Sequence, residues 1–420
     1  LAKENMSKLE KLIQQYCPDG VEYHPLWSLT AWDKKFNGID KSKQKRVIKY
    51  NYLLAADLKS YQVDEGTVKL LTTNISNLYT SEELAGDLAS EGEVVAIPWG
   101  GNPIVQYYKG RFLTADNRIA TSLDTNNLNN KFLYYCMLSQ MKLISSFYRG
   151  SGIKHPEMAK VLDLEIPVPP LPVQEEIVRI LDTFTELQAE LQAELQKRKQ
   201  QYNFYRDNLL NFKDINRGGQ EIKWMKMSEV FEIRNGYTPS KAKKEFWEGG
   251  TIPWFRMEDI RQHGRILSDS ILHITPKGVK GKGLFKANSF ILATTATIGE
   301  HALIIADSQA NQQFTNLSIR KSLENELSVK YVYYYFFVID EWCKANTNVS
   351  NFASVDMSKF YNLLIPIPSI EEQQKIVSIL DRFDTLTTDL TQGLPAEMEK
   401  RRQQYEFYRD KLLTFKRKEA

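Results

Sequence analysis

Cysteine is almost absent from this chain: Cys17, Cys136 and Cys343 are the only three in 420 residues, odd in number and far apart. That excludes a disulfide framework and a Cys-x-x-Cys metal knuckle, and a reducing cytosol is the simplest setting. The five histidines (His24, His155, His263, His273, His301) show no metal-ligand spacing. Long apolar runs are missing too. The richest, Tyr331-Val-Tyr-Tyr-Tyr-Phe-Phe-Val-Ile339, is too short and too rich in tyrosine to span a bilayer. No signal peptide opens the chain, and a start at Leu1 points to a trimmed or edited N-terminus. Nor is there an excess of one charge. With 55 basic and 52 acidic residues the formal charge is +3, so any nucleic-acid surface must come from local clusters. An apolar content of 42% is ordinary for a globular protein, and the length suggests two or three domains.

Catalytic signatures are lacking as well. Asn102-Pro103, within Trp99-Gly-Gly-Asn-Pro-Ile104, shares two residues with the Asn-Pro-Pro-aromatic motif of amino-group methyltransferases. The second proline, the aromatic and a preceding glycine-rich cofactor loop are missing, so a plain turn is the better reading. Gly278-Val-Lys-Gly-Lys-Gly283 is glycine-rich and basic without the GxxxxGK[ST] spacing of a phosphate loop. Ser, His and Asp occur without a nucleophile elbow. No catalytic residue and no metal ligand is assigned.

What is present is a long repeat, which takes precedence over other signals. Ile166-Pro-Val-Pro-Pro-Leu-Pro-Val-Gln-Glu-Glu-Ile-Val-Arg-Ile-Leu-Asp182 returns as Ile365-Pro-Ile-Pro-Ser-Ile-Glu-Glu-Gln-Gln-Lys-Ile-Val-Ser-Ile-Leu-Asp381. The end of the first copy, Arg198-Lys-Gln-Gln-Tyr-Asn-Phe-Tyr-Arg-Asp207, returns as Arg401-Arg-Gln-Gln-Tyr-Glu-Phe-Tyr-Arg-Asp410. Each copy predicts one long helix. In the first, Ile177, Leu181, Phe184, Leu187, Leu191, Leu195, Tyr202, Tyr205 and Leu209 keep steps of three, four or seven, the stripe of an amphipathic helix. Three quartets, Thr185-Glu-Leu-Gln, Ala189-Glu-Leu-Gln and Ala193-Glu-Leu-Gln196, are strong helix formers. Roughly forty residues at about 1.5 Å each make a rod on the order of 60 Å. The prolines before it mark its start.

The second copy continues Ile376, Leu380, Phe383, Leu386, Leu390, Met398, Tyr405, Tyr408 and Leu412. It carries four extra residues around Gln392-Gly-Leu-Pro395, where Pro395 should break or kink the rod and restart it at a first-turn position. A stripe this long is expected to be buried, and the obvious partner of one rod is the other.

Ahead of each rod lies a block of about 140 residues. Residues 6–16 predict a short helix. Residues 21–29 and 222–230 look like the opening strands of the two blocks. Residues 92–100 and 288–299 read as buried strands running into small-residue turns. A helix (131–146 or 329–344) and a polar loop (148–152 or 346–350) follow in each. The halves read as a variable block plus a fixed rod, repeated under a pseudo-two-fold axis. Rod two then returns towards block one, the rods are antiparallel and the chain ends nearly meet, a dumbbell. The expected boundaries are 1–165, 166–214, 215–364 and 365–420. The expected class is α+β: two similar globular α/β domains separated by an antiparallel coiled-coil pair.

Basic and polar loops are the remaining signal. Lys34, Lys35, Lys41, Lys43, Lys45, Arg46 and Lys49 crowd sixteen residues with one acid, Asp40. In block two, Arg234-Asn-Gly-Tyr237 leads to Lys241, Lys243 and Lys244, and Lys277, Lys280, Lys282 and Lys286 form another run. Lysine clusters suit phosphate contact. Asn117, Arg118, Arg149, Lys154, Asn235, Tyr237, Arg256, Arg261, Asn311, Gln312 and Gln313 complete the candidate DNA-binding set; Arg, Asn and Gln read base edges by paired hydrogen bonds. For a single cluster a solvated lysine face is an equally good reading, and matching clusters on both blocks tip the balance. The rod tyrosines are read as seam packing and not as base-stacking platforms.

On these residues the chain resembles the specificity subunit of type I restriction–modification systems. The proline-rich boundary ending in Gln, the Glu175-Glu-Ile-Val-Arg-Ile-Leu-Asp182 and Gln374-Lys-Ile-Val-Ser-Ile-Leu-Asp381 words and the rod ends carry the resemblance, which covers essentially the whole chain. The quartets are similar to the subgroup with tandem four-residue repeats in the central spacer. The resemblance implies a non-catalytic DNA reader, each block being a target recognition domain for one half of a bipartite double-stranded site. It implies two modification subunits, which bring S-adenosylmethionine, docked on the spacer helices, and restriction subunits for cleavage. It also implies no cofactor on this chain, no membrane and a bacterial or archaeal cytoplasm. A two-headed scaffold that binds proteins is the alternative, distinguished by the absence of salt-dependent DNA binding.

Overall fold

The structure, a computed structural model, describes residues 6–212, 222–348, 353–389 and 392–419. The chain divides into two compact units, residues 1–192 with 397–420, and residues 193–396. One unbroken helix, Leu171–Leu210, belongs partly to each. Its second residue is Pro172, in the first turn, where a missing N–H leaves no bond unmade.

In the first unit the helix Lys8–Tyr16 begins at a capping box in which Ser7 and Glu10 satisfy each other's backbone amides. The head is a six-stranded sheet whose spatial order is Thr30–Trp32, Asn117–Ser122, Ser90–Pro98, Gln106–Thr114, Val68–Leu71, Tyr79–Thr80. The two longest strands pair antiparallel with Gly92 opposite Gly110, which has φ 134°. Without Cβ atoms at that point both strands can coil sharply. The expected helix at 131–146 is two helices, Asn130–Ser139 and Met141–Ser146, and the polar loop after it joins a small hairpin, Tyr148–Arg149 with His155–Pro156. The opening segment is shorter as a strand than expected. Tyr23–Pro25 pairs with Glu165–Pro167, and a single helical turn, Leu26–Leu29, follows.

The second unit repeats this plan. Lys223–Lys226 pairs with Leu364–Ile367, and Met227–Val230 forms the following turn. A five-stranded sheet packs on the aromatic helix Val329–Ala345, with Tyr331, Tyr334 and Phe336 fully buried. Val349 and Ser350 of the expected polar loop lie outside the described residues.

The second spacer is broken where Pro395 implies. Ile370–Thr388 ends, and Leu394–Leu412 starts with Pro395 as its second residue. Gly393 sits in the break, where an added Cβ would meet the carbonyl oxygen of Thr385 at 2.5 Å. In each unit one spacer leaves its head and the other reaches it, so the packed segments are antiparallel. Their seams are the same chemistry: Phe184 stacks on Tyr408 at 5.6 Å, and Phe383 stacks on Tyr205 at 5.3 Å.

The expected full burial of the stripe is corrected. Ile177, Leu181, Ile376 and Leu380 are buried because the heads also cover them, and Leu195 is buried as well. Phe184, Leu191, Leu209, Phe383, Leu386 and Leu412 are half-buried, and Leu187, Tyr205 and Tyr408 are exposed. One helix covers only one side of another, so a stripe about 100° wide is not filled by a single partner. Leu390 lies outside the described residues. The chain ends do meet within the first unit. The Val21 N–H donates to the Lys416 carbonyl at 2.8 Å, and Lys418 N–H to the Val21 carbonyl at 3.1 Å. Among the described residues no helix is long and apolar enough to cross a membrane.

Candidate nucleic-acid interface

The repeated words of the spacers turn out to be joints. Gln174, fully buried near the start of its helix, donates from Nε2 to the carbonyls of Asn127 and Pro169, both at 2.7 Å, and its Oε1 accepts from Asn129 N–H at 2.9 Å. Gln373 does the same with Glu326 at 2.7 Å, Pro368 at 2.8 Å and Ser328 N–H at 2.8 Å. Two turns on, Asp182 accepts from Tyr135 Oη at 2.6 Å and pairs with Lys131 at 2.8 Å. Asp381 accepts from Tyr334 Oη at 2.6 Å and pairs with Lys330 at 2.9 Å. Burial, reinforced by the carboxylate bond, pushes both tyrosine hydroxyls far above their ordinary range, so they stay donors. A glutamine supplies two donors and an acceptor in one plane. Each joint therefore fixes the angle of a head on its spacer.

The heads carry the basic loops. In the first, Gln44 closes the lysine loop on itself, accepting from Phe36 N–H at 2.9 Å and donating to the Lys34 carbonyl at 3.1 Å. The 3-10 turn Lys41–Lys43 is capped by Asp40. Lys34, Lys35, Lys41, Lys45, Arg46 and Lys49 are exposed and form no ion pair among the described residues, whereas Lys43 pairs with Asp163 at 2.5 Å. In the second head, tertiary structure joins two runs that are distant in sequence. Thr275 N–H donates to the Phe246 carbonyl at 2.9 Å, and Lys277 pairs with Glu245 at 3.1 Å. Lys241, Lys243, Lys244, Lys280 and Lys282 are therefore carried on adjoining exposed segments. Lys286 is tied to Asp307 at 2.7 Å.

Several candidates are braces: Asn117 and Arg118 are buried, and Arg234 and Tyr237 are half-buried. Asn117 is fully buried and donates to the carbonyls of Leu71 at 2.8 Å and Thr72 at 3.3 Å. Arg118 is buried, with its guanidinium 4.2 Å over the Trp99 ring and 3.6 Å from Asp33. Burial pushes the Asp33 carboxyl above its usual range, against bonds from Ile119 N–H and Tyr52 Oη. Arg234 donates to the carbonyls of Gly283 and Leu284 at 2.6 and 3.3 Å. Tyr237 Oη donates to the Gly278 carbonyl at 3.0 Å. These positions were attractive in the sequence because polar residues beside turns look alike whether they face water or the turn's own carbonyls. Arg149 is exposed but paired with Glu157, Arg256 is half-buried near Glu258, and Lys154, Asn235 and Arg261 are exposed. Gln312 bonds Thr238, and Gln313 bonds Asn311 at 3.2 Å.

A buried pair in the second head, His301 Nδ1 to Asp340 Oδ2 at 2.7 Å, has the outline of a proton relay. His301 Nε2 is enclosed without a partner among the described residues, and burial pushes the ring below its usual pKa, so it is a packing element. Among the described residues no cluster of three or more His, Cys, Asp or Glu could hold a metal.

Two aromatic residues that sequence reading passed over stand out on the spacers. Phe204 and Phe407, equivalent in the repeat, are 66% and 63% exposed. Each lies edge-on against a neighbouring tyrosine, Tyr205 or Tyr408. Large apolar side chains held outward at equivalent places suit a partner protein.

Residues 37–198 and 220–400 match the family model described as the type I restriction modification DNA specificity domain. The chain is similar to the EcoR124I/EcoR124II specificity subunit of Escherichia coli, 36% identical over 438 residues, with 99% of this chain and 98% of that protein covered. It is also similar to the EcoprrI specificity subunit of Escherichia coli, 51% identical over 209 residues that make up 48% of this chain and 52% of that one; this match therefore spans about half the length of the relative. A crystal structure of a type I restriction–modification S subunit from M. genitalium superposes with a TM-score of 0.53 at 16% identity, covering 94% of this chain and 96% of that one. A chain from a study of type I R-M complex assembly gives 0.58 at 16% identity, covering 94% and 98%. Both show a shared fold.

Proposed function

The chain belongs to the type I restriction–modification DNA specificity family, and from that premise we propose how its parts divide the work. It is a sequence-specific DNA-binding specificity subunit, a recognition component without a catalytic step of its own. Head one (1–165) and head two (215–364) each read one half of a bipartite double-stranded site. The spacers (166–214 and 365–420) set the unread gap between the halves. The observation that carries this division is the duplicated joint: matching Gln and Asp clamps hold two heads whose exposed loops differ in sequence. Constant joints with variable loops are what a modular reader needs.

Two modification subunits dock on the spacers, with Phe204 and Phe407 as equivalent anchors, and they bring the S-adenosylmethionine. They flip the target adenine, because chemistry on a base requires it out of the stack. Restriction subunits join this core for cleavage. The Glu-Leu-Gln quartets at 185–196 act as a ruler, each adding about 6 Å of helix. The lysine loops supply phosphate contact, which weakens with salt.

The test exchanges residues 21–155 for the corresponding block of another such subunit, co-produces the chimera with its modification partner, and maps methylated adenines. One half-site is expected to change while the other half and the gap persist. A change in both halves, or in neither, refutes the division.

A further inference from the structure

The segment between the strands Val68–Leu71 and Tyr79–Thr80 of head one is a partly exposed loop held by several hydrogen bonds. Four of the carbonyls of residues 72–78, those of Thr72, Asn74, Ser76 and Leu78, accept hydrogen bonds. Leu78 accepts from Leu70 N–H at 3.0 Å. Leu71 and Thr72 accept from the buried Asn117 amide, and Thr72 also from Gln106 Nε2 at 2.8 Å. Ser76 accepts from the Lys69 ammonium, which is buried and lies 4.5 Å over the Tyr79 ring. Thr72 Oγ1 donates to the Asn74 carbonyl at 2.7 Å.

A buried ammonium is unfavourable, and burial here lowers the Lys69 pKa, so its use to hold one loop carbonyl calls for a reason. A loop that merely connects two strands needs no such support. A loop that must meet a ligand in one shape does, because ordering done during folding is not charged against binding.

The tip that results presents Asn74, Ile75 and Asn77. All three are exposed, Ile75 at 78%, and neither carboxamide has a hydrogen-bond partner among the described residues. Asparagine matches adenine N6 and N7 in the major groove with two hydrogen bonds, and an aliphatic group suits the thymine methyl. The same corner of the head carries Lys34, the first residue of the lysine loop. Tyr52 bridges to Thr114, three residues before Asn117, and the Lys34 ammonium lies 5.3 Å over the Tyr52 ring. A cation suited to phosphate and two free carboxamides are thus carried at one end of the sheet.

We propose that residues 72–78, through Asn74, Ile75 and Asn77, are the element of head one that reads A·T base pairs in the major groove. This rests on the assignment of head one to one half-site and names the residues that make the choice. The double variant Asn74→Ala, Asn77→Ala removes two side chains that support nothing else in the fold, so the protein is expected to fold and to assemble with its modification partner. The experiment measures methylation of duplexes in which each base pair of both half-sites is varied in turn. Discrimination is expected to fall roughly ten- to hundredfold at one or two A·T pairs of the half-site assigned to head one, with the other half and the gap unchanged. The variant Lys69→Met, which frees the loop, is expected to weaken the same discrimination. Unchanged discrimination in the double variant, or an equal loss at both half-sites, overturns the proposal. A parent protein that reads no split site would instead overturn the two-headed assignment itself, and this proposal with it.

Discussion

Replacing Gln373 with Ala perturbs a single joint, and its effect can be worked out from the contacts. Three hydrogen bonds vanish, and the carbonyls of Glu326 and Pro368 and the N–H of Ser328 lose their partner. A buried polar group left unsatisfied costs about 1–3 kcal/mol. A groove of about 510 Å³ lined by Glu326, Pro368 and Ser369 borders the joint, so water can take over part of what is lost. The net expectation is about 3–4 kcal/mol of local stability. At about 1.4 kcal/mol per factor of ten, amide hydrogen exchange in Val329–Ala345 and Ile370–Thr388 should accelerate roughly a hundred- to a thousandfold. Exchange in the first unit should stay as it was, and Gln174→Ala should give the converse pattern. Because the joint sets the angle of head two, the variant complex should also accept duplexes with a gap one base pair longer or shorter than the parent does. If exchange around the joint is unchanged, or if both units respond alike, the reasoning from the duplicated clamp is wrong.

Other consequences are independent of that joint. Deleting Ala189-Glu-Leu-Gln192 removes about 6 Å of helix and rotates the C-terminal part of the rod by about 40° beyond a full turn. At about 3.4 Å per base pair the unread gap should shorten by one or two base pairs with both half-sites intact, and methylation mapping that returns the parent gap rules the ruler out. Glu176 accepts from Arg179 at 2.6 Å and from Lys8 at 2.6 Å, which holds its carboxyl near a pKa of about 2 against an ordinary 4.5. A depressed folded-state pKa stabilises above the ordinary value, and the contribution is lost as pH falls from about 4.5 through about 2. Glu176→Gln should therefore flatten the acid-unfolding curve of the first unit over that window, and an identical curve would show that neither the Arg179 pair within the spacer nor the Lys8 pair to the Lys8–Tyr16 helix stabilises the unit.

The legibility of each part depends on the physics behind it. The spacer helices could be placed from periodicity and proline alone, because amphipathic spacing and a missing N–H act locally. Pro395 at the second position of Leu394–Leu412 is the clearest instance. The lysine loops were visible as clusters, since solvated charge gathers in exposed segments. The roles of single polar residues were not visible. Asn117 and Arg118 have the residue types and turn setting of base readers and are braces, while nothing in the sequence distinguishes the exposed Asn74 and Asn77 from other loop asparagines. A side chain's partner is a matter of which carbonyl the chain brings near it, often dozens of residues away. Gln174 and Gln373 stand between these cases: their repetition flagged them, but only the surrounding backbone says what they hold.

The sequence by itself determined the duplication, the rods, the break in the second one and the family, because each of these is written in spacing along a single segment. Tertiary structure alone decided which of the apolar stripe stays exposed, which basic runs adjoin and which polar groups face inward. Those depend on groups far apart in the chain competing for the same space and the same hydrogen bonds, and that competition is resolved only when the chain has folded.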